Sequence, residues 1–199
     1  MPPIGKLACG EQMNREQLAH VLRAAASIVD DPNILVIGSQ AVLGTFDEEE
    51  LPDAATASME VDLAYFDDPT EDKSDAVDGS IGELSLFHAT FGVYAQGVSL
   101  TTAVLPTGWR GRLVPWSNRS TGQARAVFLE THDCVVSKLV AHREKDFAFA
   151  SAMLQSGLID PTILTKRINQ LAVSLDPRVP TSLHTWLKAW VERQDCGRS

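Results

Sequence analysis

Two acidic residues, Glu60 and Asp62, stand one residue apart within an apolar run at residues 59–63. Because residues two apart on a β-strand face the same side, the two carboxylates should project together. Carboxylates at this spacing suit a hard divalent cation such as Mg²⁺, which prefers oxygen ligands and leaves room for phosphates and water. The sequence therefore predicts Glu60 and Asp62 as catalytic metal ligands, with Mg²⁺ as the cofactor.

A glycine-serine turn lies upstream of the acids. The apolar run 34–37 is followed by Gly38 and Ser39, an order typical of a strand, a tight turn and a helix start. Glycine lets the backbone approach a ligand closely, and the amides of Ser39 and Gln40 at a helix start can receive phosphate oxygens. Taken alone, the glycine-serine pair could be an ordinary turn, and the two acids could be solvated surface residues. Their order favours a nucleotide site in which Gly38, Ser39 and Gln40 bind the triphosphate.

Together these motifs resemble the signature of the DNA polymerase beta-like nucleotidyltransferase superfamily. The stretch 133–146 resembles a helix found in its small prokaryotic branch, which is related to abortive-infection and toxin-antitoxin nucleotidyltransferases. In that branch the glycine-serine turn holds the triphosphate, the paired acids hold metal, and a lysine and an aspartate on the later helix assist. The resemblance implies a catalytic and nucleotide-binding role for Lys138 and a catalytic role for Asp146.

The resemblance implies transfer of a nucleoside monophosphate from an NTP to a hydroxyl group of RNA, protein or a small molecule. It also implies that the protein is the toxin of a toxin-antitoxin pair. Its expected protein partner is then an antitoxin, or a second copy of the chain. Two departures leave an alternative open. Twenty residues separate Ser39 from Glu60, more than is usual in the family, and only Glu130 is available near a later strand as a third carboxylate. A catalytically inactive module that binds nucleotide or protein on the same fold is the alternative.

The hydrophobic pattern predicts an α/β (α+β) fold, with a mixed sheet of about five strands flanked by helices. The resemblance implies that this sheet is nucleotidyltransferase-like. A helix at 15–29 with a capping box from Asn14 to Gln17 should precede the sheet. A loop is expected at 67–78 and a helix at 81–94. Strands are predicted at 34–37, 59–63, 98–105, 112–116 and 125–129. Residues 1–130 should form the α/β core, and residues 131–199 a helical C-terminal part packed on it.

One continuous helix is predicted from Thr131 to Leu154, because apolar residues recur there at helical spacing. On such a helix Lys138 and Asp146 stand two turns apart, roughly 12 Å along the axis, and cannot form an adjacent pair. Arg143 falls within the apolar stripe, where a cation requires a carboxylate partner from the core.

Two further helices are predicted at 161–173 and 181–194. Trp186 and Trp190 recur on one stripe of the second helix, which favours packing against the core, with a protein interface as the alternative. His88 lies on an aromatic helix face and is interpreted as a core histidine, with a base or ligand near the cleft as the alternative.

Composition sets the outer limits. The chain has 199 residues, 44% hydrophobic and 22% charged, which is typical of a globular protein. Its net charge of -9 argues against nonspecific binding of long nucleic acid. Arginines clustered at 110–125 beside two tryptophans could contact phosphates and bases, or could be solvated hairpin residues.

No signal-peptide core occurs at residues 1–10 and no membrane-spanning run occurs elsewhere, so no membrane association and a cytoplasmic location are expected. Cys9, Cys134 and Cys196 are far apart and lack zinc-site spacing, which predicts free thiols.

Overall fold

The computed structural model describes residues 12–116, 118–171 and 175–196. Its strands are β1 Asn33–Ile37, β2 Glu60–Ala64, β3 Tyr94–Gly97, β4 Val114–Trp116 and β5 Arg125–Phe128. They form one five-stranded sheet in the order β3-β2-β1-β5-β4. The central β1 runs antiparallel to β2 and parallel to β5, while β3 is parallel to β2 and β4 is antiparallel to β5. The predicted mixed sheet with flanking helices is confirmed.

The α-helices extend as follows: α1 Arg15–Val29, α2 Asp53–Thr56, α3 Asp72–Ile81, α4 Leu86–Phe91, α5 Thr131–Ala141, α6 Glu144–Gln155, α7 Pro161–Asn169 and α8 Arg178–Cys196. The capping box predicted for α1 is present. Asn14 Oδ1 accepts from the Gln17 backbone at 2.8 Å, and Gln17 Oε1 accepts from the Asn14 backbone at 3.0 Å. These reciprocal bonds satisfy two N–H groups that a helix start leaves without partners.

One hydrophobic cluster joins the sheet to the C-terminal helices. It contains Leu35 of β1, Leu139 of α5 and Leu183 of α8, each fully buried. Trp190 belongs to the same cluster, and the Trp186 ring lies 5.4 Å from that of Phe147, so the tryptophans pack as predicted. The division of the chain at residue 130 stays a prediction.

The segment after β2 differs from the prediction. Residues 67–78, expected to form a loop, include the first turns of α3. The reason is Asp68, whose carboxylate accepts hydrogen bonds from the backbone N–H groups of Lys73 and Ser74 at 3.0 and 2.9 Å. An aspartate at this position satisfies the free donors of a helix start.

The next segment is displaced as well. The helix predicted at 81–94 is confined to α4, because Gly92 ends it in the left-handed conformation at φ 70°. The strand that follows is β3 and not residues 98–105, where the chain forms the 3₁₀ helix Leu100–Thr102. β3 therefore begins earlier than predicted and lies beside β2.

The long helix predicted from Thr131 to Leu154 is interrupted. His142 adopts the left-handed conformation at φ 60° and Arg143 is extended, so α5 ends and α6 begins in a new direction. The two helices pack against each other, and Lys138 Nζ lies 3.6 Å from Asp146 Oδ1. The predicted separation of these two residues was wrong, because it assumed unbroken helical rise.

The C-terminal elements agree more closely. Helix α8 begins at Arg178, with Pro180 in its first turn, where a missing N–H costs no hydrogen bond. Residues 172–173 of the predicted helix 161–173 lie outside the described residues, as do residues 1–10 with Cys9. Cys134 and Cys196 are free thiols, as predicted. Among the described residues, no helix has the length and apolar character needed to cross a membrane.

Candidate active site

A cavity of about 550 Å³ opens where β1 ends and β2 begins. Ile37, the last residue of β1, pairs in register with Asp62 of β2, so the turn after β1 meets the middle of the acidic strand. The cavity gathers most of the residues singled out in the sequence: Gly38, Ser39, Glu60, Asp62, Lys138 and Asp146 all line it.

The two acids share one face of β2. Glu60 and Asp62 are half-buried, whereas Val61 between them is fully buried in the core. This alternation follows from the pleat of a strand with one face packed on the core. Both carboxylates therefore open into the same cavity.

Gly38 fits closely against the second acid. Its backbone has φ 72°, a left-handed conformation that favours glycine, and a methyl group added at its Cα would overlap the Asp62 carboxylate. The Gly38 carbonyl also accepts a hydrogen bond from Cys134 Sγ at 3.0 Å. The turn is thus held between β2 and α5, and the Asp62 carboxylate occupies the space that a larger residue would need.

The residues after Gly38 differ in their access to the cavity. Ser39 lines it, at the start of the 3₁₀ helix Ser39–Gly44. The Gln40 side chain is fully buried and its Nε2 donates to the Ser58 carbonyl at 2.7 Å, which holds the segment leading into β2. The predicted nucleotide contact of Gln40 therefore depends on its backbone amide, and it stays a prediction.

The pKa of Asp62 is raised to about 6. Burial is the main cause, the negative charge of Glu60 adds to it, and Lys138, Arg143 and Lys145 oppose it. Burial and a like charge both penalise the ionised form of a carboxylate. A cation bound between the two acids would relieve that repulsion.

This shift predicts an unusual pH response of the metal-free protein. Since the folded-state pKa of Asp62 lies above the ordinary value of 3.8, the folded state binds more protons between pH 4 and 6, and stability falls as the pH rises through that window. At about 1.4 kcal/mol per pKa unit, ionised Asp62 lowers the free energy of unfolding at neutral pH by about 3 kcal/mol. Asp62→Asn removes the charge, so we expect a gain of about 1–3 kcal/mol in unfolding free energy at pH 7.5, absent near pH 4.

Denaturant unfolding in EDTA at both pH values checks this expectation. The matched control is Asp67→Asn, which alters an exposed carboxylate outside the cavity. An equal gain from Asp62→Asn at both pH values, or no gain at pH 7.5, would contradict the expectation.

Basic residues line another part of the cavity. Lys138, Arg143 and Lys145 all contribute to its wall, and the Lys138 ammonium also lies 5.4 Å from the Phe149 ring centre. Asp146, which is 1% exposed, joins two of them, with Oδ1 3.6 Å from Lys138 Nζ and Oδ2 2.6 Å from Arg143 Nε. The hydrogen bond with Asp146 raises the pKa of Arg143. A buried carboxylate thus fixes two cations at the cavity wall.

The donor set fits Mg²⁺. Two carboxylates on one face leave the other coordination positions to water and phosphate oxygens, as this ion prefers. No group of three or more His, Cys, Asp or Glu side chains within residues 12–116, 118–171 and 175–196 is placed to hold a metal. Glu130, the one acid available from sequence as a third ligand, instead caps α5 and contacts His132 Nδ1 at 2.6 Å. Glu60 and Asp62 are therefore the residues that would hold the ion.

The family model described as Nucleotidyltransferase of unknown function (DUF6036) matches residues 16–194. The chain belongs to this family. The match includes every residue that lines the cavity. It agrees with the nucleotidyltransferase resemblance, while the toxin-related branch stays a prediction. Searches of the curated proteins and of the solved structures find no match to this nucleotidyltransferase family member.

Three cavity residues of this nucleotidyltransferase family member were missed in the sequence. Arg143 was expected within an apolar stripe, yet its side chain is 57% exposed, and only its pairing with a buried carboxylate was correct. Lys145 follows it on α6. Gln96 of β3 lies in register with Asp62 and lines the cavity. Gln96 could not be placed beside the acids from the sequence, because the strand that carries it was predicted at residues 98–105.

Other sequence candidates lie elsewhere. Arg112 forms a two-pronged ion pair with the buried Asp133, at 2.8 and 3.0 Å, and the Arg110 guanidinium stacks over Trp109. Arg112 is thus committed to an internal ion pair, whereas Arg110 is exposed, and contact of the cluster with phosphates and bases stays a prediction. His88 is half-buried outside the cavity and not in the core as expected, and its Nδ1 accepts from the Leu84 backbone at 3.1 Å.

Proposed function

We propose that the protein transfers a nucleoside monophosphate from an NTP to a hydroxyl group, with Mg²⁺ held by Glu60 and Asp62. One observation carries this proposal: a pair of carboxylates and a set of cations line a single cavity. Its volume of about 550 Å³ suits a nucleotide, since small-molecule sites commonly measure about 300–1,000 Å³. The family match supports the same class of reaction.

The triphosphate would lie between the Gly38 turn and the cations of α5 and α6. Lys138 and Arg143 are held at the wall by Asp146, so little side-chain freedom is lost when they bind phosphate oxygens. Gly38 and Ser39 offer backbone at the closest approach to the acids. Apolar side chains form another part of the wall, where the nucleoside would lie: Ala54, Ala57, Val98, Ala103 and Phe149.

In the proposed reaction the hydroxyl oxygen forms a bond to the α-phosphorus while the bond from that phosphorus to the bridging oxygen breaks. Pyrophosphate leaves, and the hydroxyl proton passes to water. Bound Mg²⁺ supplies charge neutralisation at the reacting phosphate and at the leaving group. Lys138 and Arg143 orient the β- and γ-phosphates, which favours in-line attack.

Asp146 acts in this scheme as a positioning residue. It is 1% exposed and already bonded to two cations, so its carboxylate oxygens are directed at Lys138 and Arg143. These contacts fit orientation of other groups better than a role as a general base. The acceptor hydroxyl, on RNA, protein or a small molecule, is proposed to enter from the solvent side of the acids.

Incubation with each α-labelled NTP and Mg²⁺ tests the proposal. Parallel reactions should contain total RNA, soluble lysate protein or small-molecule extract, each repeated with EDTA. Label that enters one acceptor fraction only with Mg²⁺ supports transfer and identifies the acceptor class. Mg²⁺-dependent NTP binding without any labelled product would favour the alternative of an inactive nucleotide-binding module. An absence of NTP binding would exclude transfer and nucleotide binding, and would favour an inactive protein-binding module.

Lys138→Ala is expected to weaken NTP binding. A hydrogen bond to a charged group contributes about 1.5–3 kcal/mol, which corresponds to about a 10- to 100-fold rise in Kd. Arg143 continues to pair with Asp146 in this variant, so the fold should persist. Titration calorimetry with Mg²⁺ and a non-hydrolysable NTP measures the change.

The control is Lys188→Ala, which removes a lysine that is 79% exposed on α8 and pairs only with Glu192 in the described part of the chain. Its Kd should equal that of the unaltered protein. Equal Kd values for Lys138→Ala and Lys188→Ala would contradict a role for Lys138 in phosphate binding.

A further inference from the structure

The edge strand β3 places a phenol beside the first acid. Tyr94 pairs in register with Glu60, and its Oη donates a hydrogen bond to Glu60 Oε2 at 3.1 Å. Among the described residues this is the one hydrogen bond that reaches the Glu60 carboxylate. Asp62, by contrast, is confined by its close fit against Gly38.

We propose that Tyr94 is a positioning residue that orients the Glu60 carboxylate toward the bound cation. The proposal rests on the function proposed above, in which Glu60 holds Mg²⁺. A glutamate side chain has three rotatable bonds, and its ordering costs conformational entropy when a metal binds. A hydrogen bond from a fixed donor pre-orders the carboxylate, and the other oxygen stays available to the ion.

Tyr94 is itself held in place. Its backbone N–H donates to the Met59 carbonyl at 3.1 Å, and its ring lies 4.6 Å from that of His88. The His88 ring is fixed in turn by the hydrogen bond from the Leu84 backbone to its Nδ1. These contacts run from α4 through β3 to the first metal ligand.

The phenol is suited to a donor role. A phenol hydroxyl has a proton to donate, whereas an ionised carboxylate only accepts, so the Tyr94 Oη–Glu60 Oε2 contact has Tyr94 as its donor. Hydrogen-bond partners of metal ligands orient the ligand, and their loss typically lowers metal affinity by about 10- to 100-fold. Tyr94 has the geometry of such a partner.

The experiment compares Tyr94→Phe with Tyr65→Phe. These are the two tyrosines of the chain, and the Tyr65 hydroxyl is buried, has no partner among the described residues and lies outside the cavity. Mn²⁺ serves as the probe, and its free signal in electron paramagnetic resonance reports binding without any need for catalysis. Tyr94→Phe should weaken Mn²⁺ binding by about 10-fold, whereas Tyr65→Phe should leave it unchanged.

A double-variant cycle separates orientation from general packing. Glu60→Gln should remove most Mn²⁺ affinity, and the addition of Tyr94→Phe to it should cause no further loss, since the two residues act as one unit. Unchanged Mn²⁺ affinity in Tyr94→Phe, with or without a lower unfolding midpoint, would overturn the inference. So would losses that multiply in the double variant.

The same data test the underlying function separately. If the unaltered protein binds Mn²⁺ no better than Glu60→Gln does, the proposed metal site fails and the role of Tyr94 fails with it. If Glu60→Gln loses affinity and Tyr94→Phe does not, only the inference about Tyr94 is wrong.

Discussion

Asp62→Asn is expected to abolish nucleotidyl transfer while the protein stays folded. The substitution replaces one of two proposed metal ligands with a neutral amide of the same size. Metal stabilisation of transition-state charge amounts to several kcal/mol, so kcat should fall by at least about 10²- to 10³-fold. Initial rates with labelled NTP at saturating Mg²⁺, on the acceptor identified by the transfer assay, measure the loss.

The expected stability change makes this test unusually clear. Because the Asp62 charge is penalised by burial and by Glu60, its removal should raise stability at pH 7.5 even as activity disappears. Loss of activity in a more stable protein cannot be attributed to unfolding. Asp67→Asn should keep full activity, and a kcat for Asp62→Asn within tenfold of the unaltered value would contradict a role for Asp62 as a metal ligand.

Gly38→Ala should be the most damaging single-methyl change in the site. The new Cβ would overlap the Asp62 carboxylate, and the backbone at φ 72° is strained for any side chain. If Asp62 moves aside, a misplacement of about 1 Å can cost about 10²-fold in rate. If it does not move, crowding should cost about 1–3 kcal/mol of stability. Transfer rates, Mn²⁺ binding and unfolding free energy should be measured together.

Gly157→Ala is the control, because Gly157 also has a positive φ, 71°, and no atom within 4 Å of an added Cβ. It should show only the left-handed backbone penalty, about 1–2 kcal/mol, with normal activity and Mn²⁺ binding. A Gly38→Ala protein indistinguishable from Gly157→Ala would show that close contact between the turn and Asp62 is unimportant.

The acidic pair illustrates what local pattern can predict. Glu60, Asp62 and the Gly38 turn were recognised because strand alternation and turn chemistry depend on neighbours within a few residues. The same holds for helix α1, where the capping box and the apolar face are both local signals. For these residues the predicted side of the strand and the predicted turn agree with the structure.

Sequence alone therefore determined that Glu60 and Asp62 share one face of a strand, that a glycine turn follows the first strand, and which class of fold the chain adopts. Tertiary structure decided which side chains join the acids. A single left-handed residue, His142, breaks the helical period and brings Asp146 to Lys138, and a residue of this kind leaves no periodic trace. The order of the strands places Tyr94 and Gln96 beside Glu60 and Asp62, since pairing between distant segments is decided by packing of the whole core and not by neighbours along the chain.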